Sequence, residues 1–427
     1  MLALFALIAV LVAAGTPLGV TLGLSGLYLL HFAGPGNLTS VATPAIWNLF
    51  TDFTLTAVPL FIAMGDILLE GGVSNRIYAS VAPFFRRIPG GLLQTNIVVA
   101  TLFGAVCGSS TATAAAVGSV AYPELKRRGY EPRAVAGTLA GGGTLGLLIP
   151  PSISLLIYGA MLDVSIGKLF LAGILPGLMY ALAFMGFVAF KTWKTPSILG
   201  QAEEHLSLWE SISRLAGIWP LAGLMFAVLG TIYAGLATPT EAAAIGVAAA
   251  AVLGFAYREL TLRSLGVALL RSAVSFGALS LVIAGAVILA QAVSILAIPR
   301  SLIDMIDAFE LSPYALLLAV IVLYLLLGCF FDGLSLMIMT LPFVFPVMTA
   351  AGFDPVWLGV VVTIMVEVGM ITPPVGMNLF VIAAMTKGDV PVLDLARAAL
   401  PYWLILLLGV GALVLFPSIA LWLPAFI

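Results

Sequence analysis

The sequence predicts an all-α polytopic membrane protein made of inverted-topology repeats, each with a re-entrant hairpin and a discontinuous helix. Three observations predict it. Of 427 residues, 62% are hydrophobic and only 8% charged, against about 25% charged in a soluble domain, too few to cover a soluble surface. The apolar residues fall in runs of about 20, the length that crosses a bilayer. Glycines and prolines recur in the two halves at one fixed offset. The same composition excludes disorder and coiled coil. The net charge of −2, from 17 Lys+Arg against 19 Asp+Glu, leaves no nucleic-acid footprint. His31 and His205 stand far apart, so a histidine metal site or catalytic triad is not expected. Cys107 and Cys329 read as buried thiols rather than a disulfide, and no zinc spacing or other transition-metal pattern occurs.

The first run, 2–32, lacks a basic n-region and a small-residue cleavage site, so it reads as a retained span. Gly15-Thr16-Pro17 within it allows one kinked span or two short ones. Further spans are expected at 46–69, 134–162, 169–190, 216–234, 239–257, 273–298, 356–386 and 399–423. Stretches 91–122 and 313–349 differ, each holding two short arms around a polar or Gly-rich centre. Basic residues cluster at Arg86-Arg87, Lys126-Arg127-Arg128 with Arg133, Lys191 with Lys194, and Arg258 to Arg271. The positive-inside rule places all four clusters, and the N-terminus, in the cytoplasm. Segment 91–122 then leaves and returns to one side, as a re-entrant hairpin or two short spans. The connection from Arg300 to Glu310, with Asp304 and Asp307, faces outside, as does 163–168.

The halves share a register. Gly129 and Gly352 lie 223 residues apart (352 − 129 = 223), as do Pro123/Pro346, Pro132/Pro355, Gly146/Gly369, Pro150/Pro373 and Pro151/Pro374. The charge map starts 46–162 outside and 273–386 inside, so the repeats are inverted, the signature of a secondary transporter built around a midplane site. The expected organisation is an N-terminal scaffold span (1–45) and a first repeat (46–190) with hairpin 91–125 and broken helix 134–162. A cytoplasmic linker (191–214) with a surface helix and scaffold spans (215–272) follow. The second repeat (273–427) holds hairpin 313–349, broken helix 356–386 and a C-terminal span.

Chemistry gathers at the interruptions. Gly108-Ser109-Ser110-Thr111-Ala112-Thr113 and Asp332-Gly333-Leu334-Ser335 are the hairpin centres. Gly141 to Gly146 with Pro150-Pro151-Ser152, and Gly369 with Thr372-Pro373-Pro374-Val375-Gly376-Met377-Asn378, are the breaks. A Pro-Pro pair removes two backbone donors, and the freed carbonyls need partners in hydrocarbon. Carbonyls with Ser/Thr hydroxyls form an oxygen cage for a small hard cation, and sodium fits better than a transition metal. Half-helix N-termini offer partial positive charge to a carboxylate. Gly, Ser and Thr also line ordinary helix packing, and the matched pair of sites is what favours ion binding. The candidate sodium-binding residues are Ser109, Ser110, Gly143, Gly146, Pro150, Asp332, Gly333, Gly369 and Thr372, with two or more ions expected. The candidate substrate-binding residues are Thr111, Ser152, Thr372 and Asn378. Asp332 reads either as a ligand or as a hairpin-tip hydrogen-bonding residue, and Glu367 as orienting the broken helix. Asp66 and Glu70 are expected to cap a span, Glu241 to close a capping box with Thr238, and Trp219, Trp403 and Trp422 to anchor at the interface. No Walker motif or organic-cofactor pattern occurs.

The chain resembles the large membrane (M) subunit of tripartite ATP-independent periplasmic (TRAP) transporters over essentially its whole length. The resemblance is carried by Gly104-Ala105-Val106-Cys107-Gly108-Ser109-Ser110, Arg127-Arg128-Gly129-Tyr130, Ile149-Pro150-Pro151-Ser152-Ile153 and Leu171-Ala172-Gly173-Ile174-Leu175-Pro176-Gly177. It continues in Thr238-Pro239-Thr240-Glu241-Ala242-Ala243-Ala244, Tyr257-Arg258-Glu259-Leu260-Thr261, Phe331-Asp332-Gly333 and Thr372-Pro373-Pro374-Val375-Gly376-Met377-Asn378-Leu379-Phe380. It implies an elevator-type ion-transporter fold and sodium-driven import of a carboxylate-bearing solute, such as sialic acid, across a bacterial inner membrane. Its implied partners are a periplasmic solute-binding protein and a small four-helix membrane subunit, here expected as a separate chain. Gly141-Gly142-Gly143 departs from the family, which often has small hydroxyl residues there, so carbonyls rather than side chains would ligate at that place. The alternatives are a stand-alone sodium- or proton-coupled carboxylate transporter and an intramembrane enzyme. The latter lacks a buried His or Lys beside Ser109 or Ser110.

Overall fold

The computed structural model describes residues 2–32, 38–200 and 207–427, and every regular element among them is helical. His205, Glu203 and Glu204 lie outside the described residues. The first apolar run is two helices, α1 (Leu2–Ala13) and α2 (Leu18–Phe32), with the Thr16 hydroxyl donating to the Leu11 carbonyl at the break. The expected span 46–69 is also divided, into α3 (Leu38–Thr51) and α4 (Ala57–Glu70). The cause is Asp52, whose carboxylate accepts the Thr54 and Leu55 amides at 2.7 and 3.1 Å and so competes with the helix ladder. After α4 the chain bends 66° into α5 (Val73–Phe85). Gly72 makes the bend at φ +66°, a conformation natural to glycine.

The first hairpin is α6 (Leu92–Cys107) and α7 (Ser110–Arg127), and the first broken helix is α8 (Pro132–Thr144) and α9 (Ile153–Leu162). Then come α10 (Ile166–Lys194), the short linker helix α11 (Leu208–Leu215), α12 (Trp219–Tyr233) and α13 (Pro239–Ala256). Thr238 and Glu241 close a capping box at the start of α13. Helix α14 (Leu262–Ile295) begins well before the expected residue 273, because a second capping box at Thr261 and Ser264 starts it there. Arg263 and Arg271 therefore ride on the helix rather than in a loop. The second repeat continues with α15 (Ile298–Ala308), hairpin α16 (Pro313–Gly328) and α17 (Gly333–Ala350), broken helix α18 (Pro355–Met370) and α19 (Met377–Met385), α20 (Val392–Leu415) and α21 (Ser418–Leu421). Six helices among the described residues are long and apolar enough to cross a bilayer, or seven if the bent α4–α5 pair is one span. The arms α6 and α16 and the half-helices α9 and α18 are too short to do so alone.

The 223-residue register survives in three dimensions. Helices α7 and α17 start and end 223 residues apart (333 − 110 and 350 − 127), and α8 and α18 each open on a proline at the same offset. The Pro150–Pro151 and Pro373–Pro374 peptides are both cis. Each hairpin also leans on its own broken helix glycine to glycine. A Cβ on Gly104 would fall 2.6 Å from the Gly146 Cα, and one on Gly328 2.6 Å from the Gly369 Cα.

Two packing regions position the site. In one, α2 and α14 touch backbone to backbone: a Cβ on Gly19 would lie 2.4 Å from the Leu281 carbonyl, and one on Gly285 2.0 Å from that of Gly19. Small residues bring helices this close where lipid removes the hydrophobic drive between them. In the other, the broken helices form the centre. Residues 134–148 of the first and 357–371 of the second are all buried. Hairpins, α10 and α20 pack around them, while apolar side chains such as Leu182, Phe226, Leu270 and Leu408 point outward.

Asp66 and Glu70 do not cap α4. Asp66 accepts the Ser272 hydroxyl at 2.6 Å and Glu70 pairs with Arg271 at 2.5 Å, so both tie α4 to α14. The same pairing logic joins the repeats at their basic ends, through Lys126 with Asp389, and Arg133 with Asp394 at 2.9 Å.

Candidate functional site

The first hairpin folds its tip onto the first break. Gly108 closes α6 at φ +62°, where a Cβ would meet the Ile153 side chain at 2.9 Å and the Pro151 carbonyl at 3.1 Å, so only glycine brings the tip against the break. Ser109 caps α7 by accepting the Ala112 amide at 3.4 Å, and its hydroxyl lies 3.4 Å from that of Thr111. Behind the tip, a point one Cβ bond from Gly146 lies 2.9 Å from Thr113 Oγ1 and 3.2 Å from the Ser109 carbonyl oxygen. Thr113 Oγ1 is buried and has no hydrogen-bond partner. An unpartnered buried hydroxyl carries a desolvation cost, and here it faces the Ser109 carbonyl in a close-packed corner where the Gly104 Cα also lies 3.2 Å from the same point.

The other predicted residues fall around this corner with distinct roles. Ser152 is buried and holds the break itself: its hydroxyl donates to the Leu147 carbonyl and accepts the Leu155 amide at 3.2 Å. Pro150 is buried in the same turn. Gly143 faces Ala114, whose Cβ lies 2.9 Å from where a Gly143 Cβ would sit, so its side is packed against carbon. Asn378, at the start of α19, reaches across from the second repeat and donates to the Ser110 hydroxyl at 2.6 Å. Its Oδ1 is buried without a partner.

The second break differs in exposure. Pro373, Pro374, Met377 and Phe380 are exposed, whereas Gly146, Pro150, Pro151 and Ser152 are buried. Thr372 donates to the Val368 carbonyl at 2.5 Å and accepts the Trp403 indole N–H at 2.9 Å. Trp403 thus supports the break and is not a free interfacial anchor, whereas Trp219 and Trp422 stay 71% and 57% exposed. Asp332 is exposed and caps α17 by accepting the Ser335 amide at 3.1 Å. Gly333 admits Val366 and Met370 of α18, at 2.6 and 2.9 Å from a hypothetical Cβ.

Two residues of the site were not among the candidate ligands, although Thr113 stands in the expected hairpin centre and Glu367 beside the second break. Thr113 follows Ser109 by one helical turn, and that spacing was the available signal. Glu367 is fully buried, and it faces the first break rather than its own. The Leu147 and Leu148 amides approach its carboxylate without closing full hydrogen-bond geometry. Backbone amides at one break are thereby set against an acid on the other broken helix. Among the described residues no three His, Cys, Asp or Glu side chains gather as a metal site would require, so the oxygens on offer are hydroxyls and carbonyls.

The family described as "Tripartite ATP-independent periplasmic transporter, DctM component" matches residues 5–419. A C4-dicarboxylate TRAP transporter large permease protein from Pseudomonas aeruginosa is 36% identical, covering 95% of this chain and 93% of its own length. A sialic acid TRAP transporter large permease protein from Vibrio cholerae is 32% identical, over 96% and 95%. In fold, the chain is similar to the YdaH transporter of Alcanivorax borkumensis, with TM-score 0.63 and 18% identity over 93% of this chain and 90% of that one.

Proposed function

This chain belongs to the DctM component family of tripartite ATP-independent periplasmic transporters, and from that membership we propose that it imports a carboxylate-bearing solute by sodium-coupled elevator motion. It is a multi-pass membrane protein whose work is transport, not catalysis. The proposed location is the bacterial inner membrane with the N-terminus in the cytoplasm, which follows from the placement of basic loops. The proposed partners are a periplasmic binding protein that delivers the solute and a separate small membrane subunit.

The pair of oxygens beside Gly146 carries the reading. An unpartnered Thr113 hydroxyl and the Ser109 carbonyl converge where a side chain would otherwise sit. Hydroxyl and carbonyl oxygens favour a hard monovalent or alkaline-earth cation, and the lack of a carboxylate between these two donors favours the monovalent one. Sodium there would draw on the hairpin tip and the first break together, so its binding would hold the two in register. The Ser110–Asn378 bond then passes that order to the start of α19. The N-terminal turn of α19, exposed at Met377 and Phe380, is the proposed seat for the solute carboxylate, because the positive end of the helix dipole lies there. Coupling follows if the solute binds tightly only when this turn is held. For the elevator motion, Gly65 of α4 supports a smooth contact: it meets Cys107 at the hairpin tip with no side chain of its own. The α2–α14 pair supplies the fixed wall.

The test is uptake into proteoliposomes holding this chain, its small subunit and its binding protein, with labelled succinate and sialic acid as probes. Uptake of one of them should require an inward sodium gradient and both partners. Uptake driven by a proton gradient alone would overturn the sodium assignment. Uptake of free solute by this chain alone would overturn the tripartite one.

A further inference from the structure

On the basic side of the molecule a cavity of about 350 Å³ is lined, among the described residues, by three arginines and one carboxylate. Arg86 is the C-cap of α5, Arg128 that of α7, and Arg214 comes from α11. The carboxylate is Glu124, which already pairs with Arg127 and Arg128 at 2.5 Å each. Glu210, on the same helix as Arg214, accepts the Ser207 amide on its carboxylate at 2.8 Å. The wall also holds Tyr78, which is 6% exposed and whose hydroxyl has no hydrogen-bond partner. A buried hydroxyl without a partner is costly, and here it lines a cationic cavity with Asn75 beside it.

We propose that this cavity binds a phosphate-bearing anion, the headgroup of an anionic phospholipid being the form its position favours. Arginine guanidinium groups present forked donors that match phosphate oxygens, and the Tyr78 hydroxyl supplies a neutral donor. Basic pockets between membrane helices on the cytoplasmic side suit such headgroups. Position selects the lipid over free phosphate. Helix α11 runs on into α12 as one apolar helix, Trp209–Tyr233, long enough to cross a bilayer, and Trp209, 78% exposed at its basic-side end, has the character of an interfacial aromatic residue. Arg214 is therefore held at headgroup depth. The site joins the linker helix, α5 and the base of the first hairpin, three elements distant in sequence.

The experiment uses the full chain in detergent, with phosphatidylglycerol, phosphatidylcholine and inorganic phosphate as probes. Native mass spectrometry should retain phosphatidylglycerol over phosphatidylcholine. Arg214→Gln should weaken that retention about tenfold, the loss of one charge-assisted bond. Tyr78→Phe should weaken it by a similar factor, and Arg87→Gln, outside the cavity, should not change it. Arg214 lies on the surface of a short exposed helix, so its variant keeps the fold where Arg86→Gln could disturb it. A thermal shift with millimolar inorganic phosphate, lost in Arg214→Gln, would assign the same site to free phosphate. Equal retention of both lipids with no phosphate shift, or wild-type retention in Arg214→Gln, would overturn the proposal.

Discussion

Asn378 donates its side-chain amide to the Ser110 hydroxyl at 2.6 Å, and both residues are buried. This bond joins the first turn of α19 to the first turn of α7, so the break of one repeat and the hairpin tip of the other are fixed to each other. Asn378→Ala removes the bond and strands Ser110. The expected cost is about 1–3 kcal/mol of stability, read as a fall in melting temperature, with sodium-driven uptake reduced at least about tenfold. Unchanged uptake in a folded Asn378→Ala protein would mean that the two sites work independently.

Thr113→Val keeps the shape of the side chain and deletes the unpartnered oxygen. The expected result is a rise of about tenfold or more in the sodium concentration that half-saturates uptake, with Thr113→Ser close to wild type. The measurement is uptake against sodium at constant ionic strength. If Val and Thr give the same sodium curve, the oxygens beside Gly146 do not hold an ion.

Gly104→Ala would drive a Cβ to 2.6 Å from the Gly146 Cα, a backbone atom that cannot swing away. Overpacking of this kind costs about 1–3 kcal/mol. Gly266→Ala is the control: that residue lies exposed in α14 with nothing within 4 Å of the added carbon. It should match wild type or gain up to about 1 kcal/mol. Thermal unfolding in detergent distinguishes them, and equal melting temperatures would refute the close contact.

The Asp389 carboxyl, in the turn after α19, is held below its ordinary range, first by its hydrogen bond to Lys126 and then by that of Tyr122. A lowered carboxyl stabilises the fold above its unfolded pKa, and the effect fades only as pH falls through the lower folded value. Asp389→Asn should therefore lower the melting temperature slightly and by the same amount at pH 5 and pH 8. A difference that disappears between those two values would contradict the sign of the shift.

The sequence exposed the repeat because proline and glycine act on the backbone directly. Pro132, Pro150, Gly146 and their partners at +223 each sit where a helix starts, breaks or touches another helix. Contacts between side chains distant in the chain were less legible. Trp403 has the composition of an interfacial anchor, and only tertiary packing turns its indole toward Thr372. Glu367 stands two residues before Gly369 in sequence, yet its carboxylate meets the other repeat's break. Asp52 was hidden for a different reason. One polar residue in an apolar stretch barely changes hydropathy, but its carboxylate takes two amides and divides the span.

The glycine contacts at Gly104–Gly146 and Gly328–Gly369 leave no side chain between main chains. A joint of this kind has no rotamers to absorb movement, so a displacement of the hairpin arm arrives at the break undiminished, as in a linkage without slack. The oxygens around Gly146 therefore take their spacing from the distance between two helix axes. Discrimination between ions of different radius at that place would be written in helix spacing, and a single methyl group on either glycine would re-gauge it.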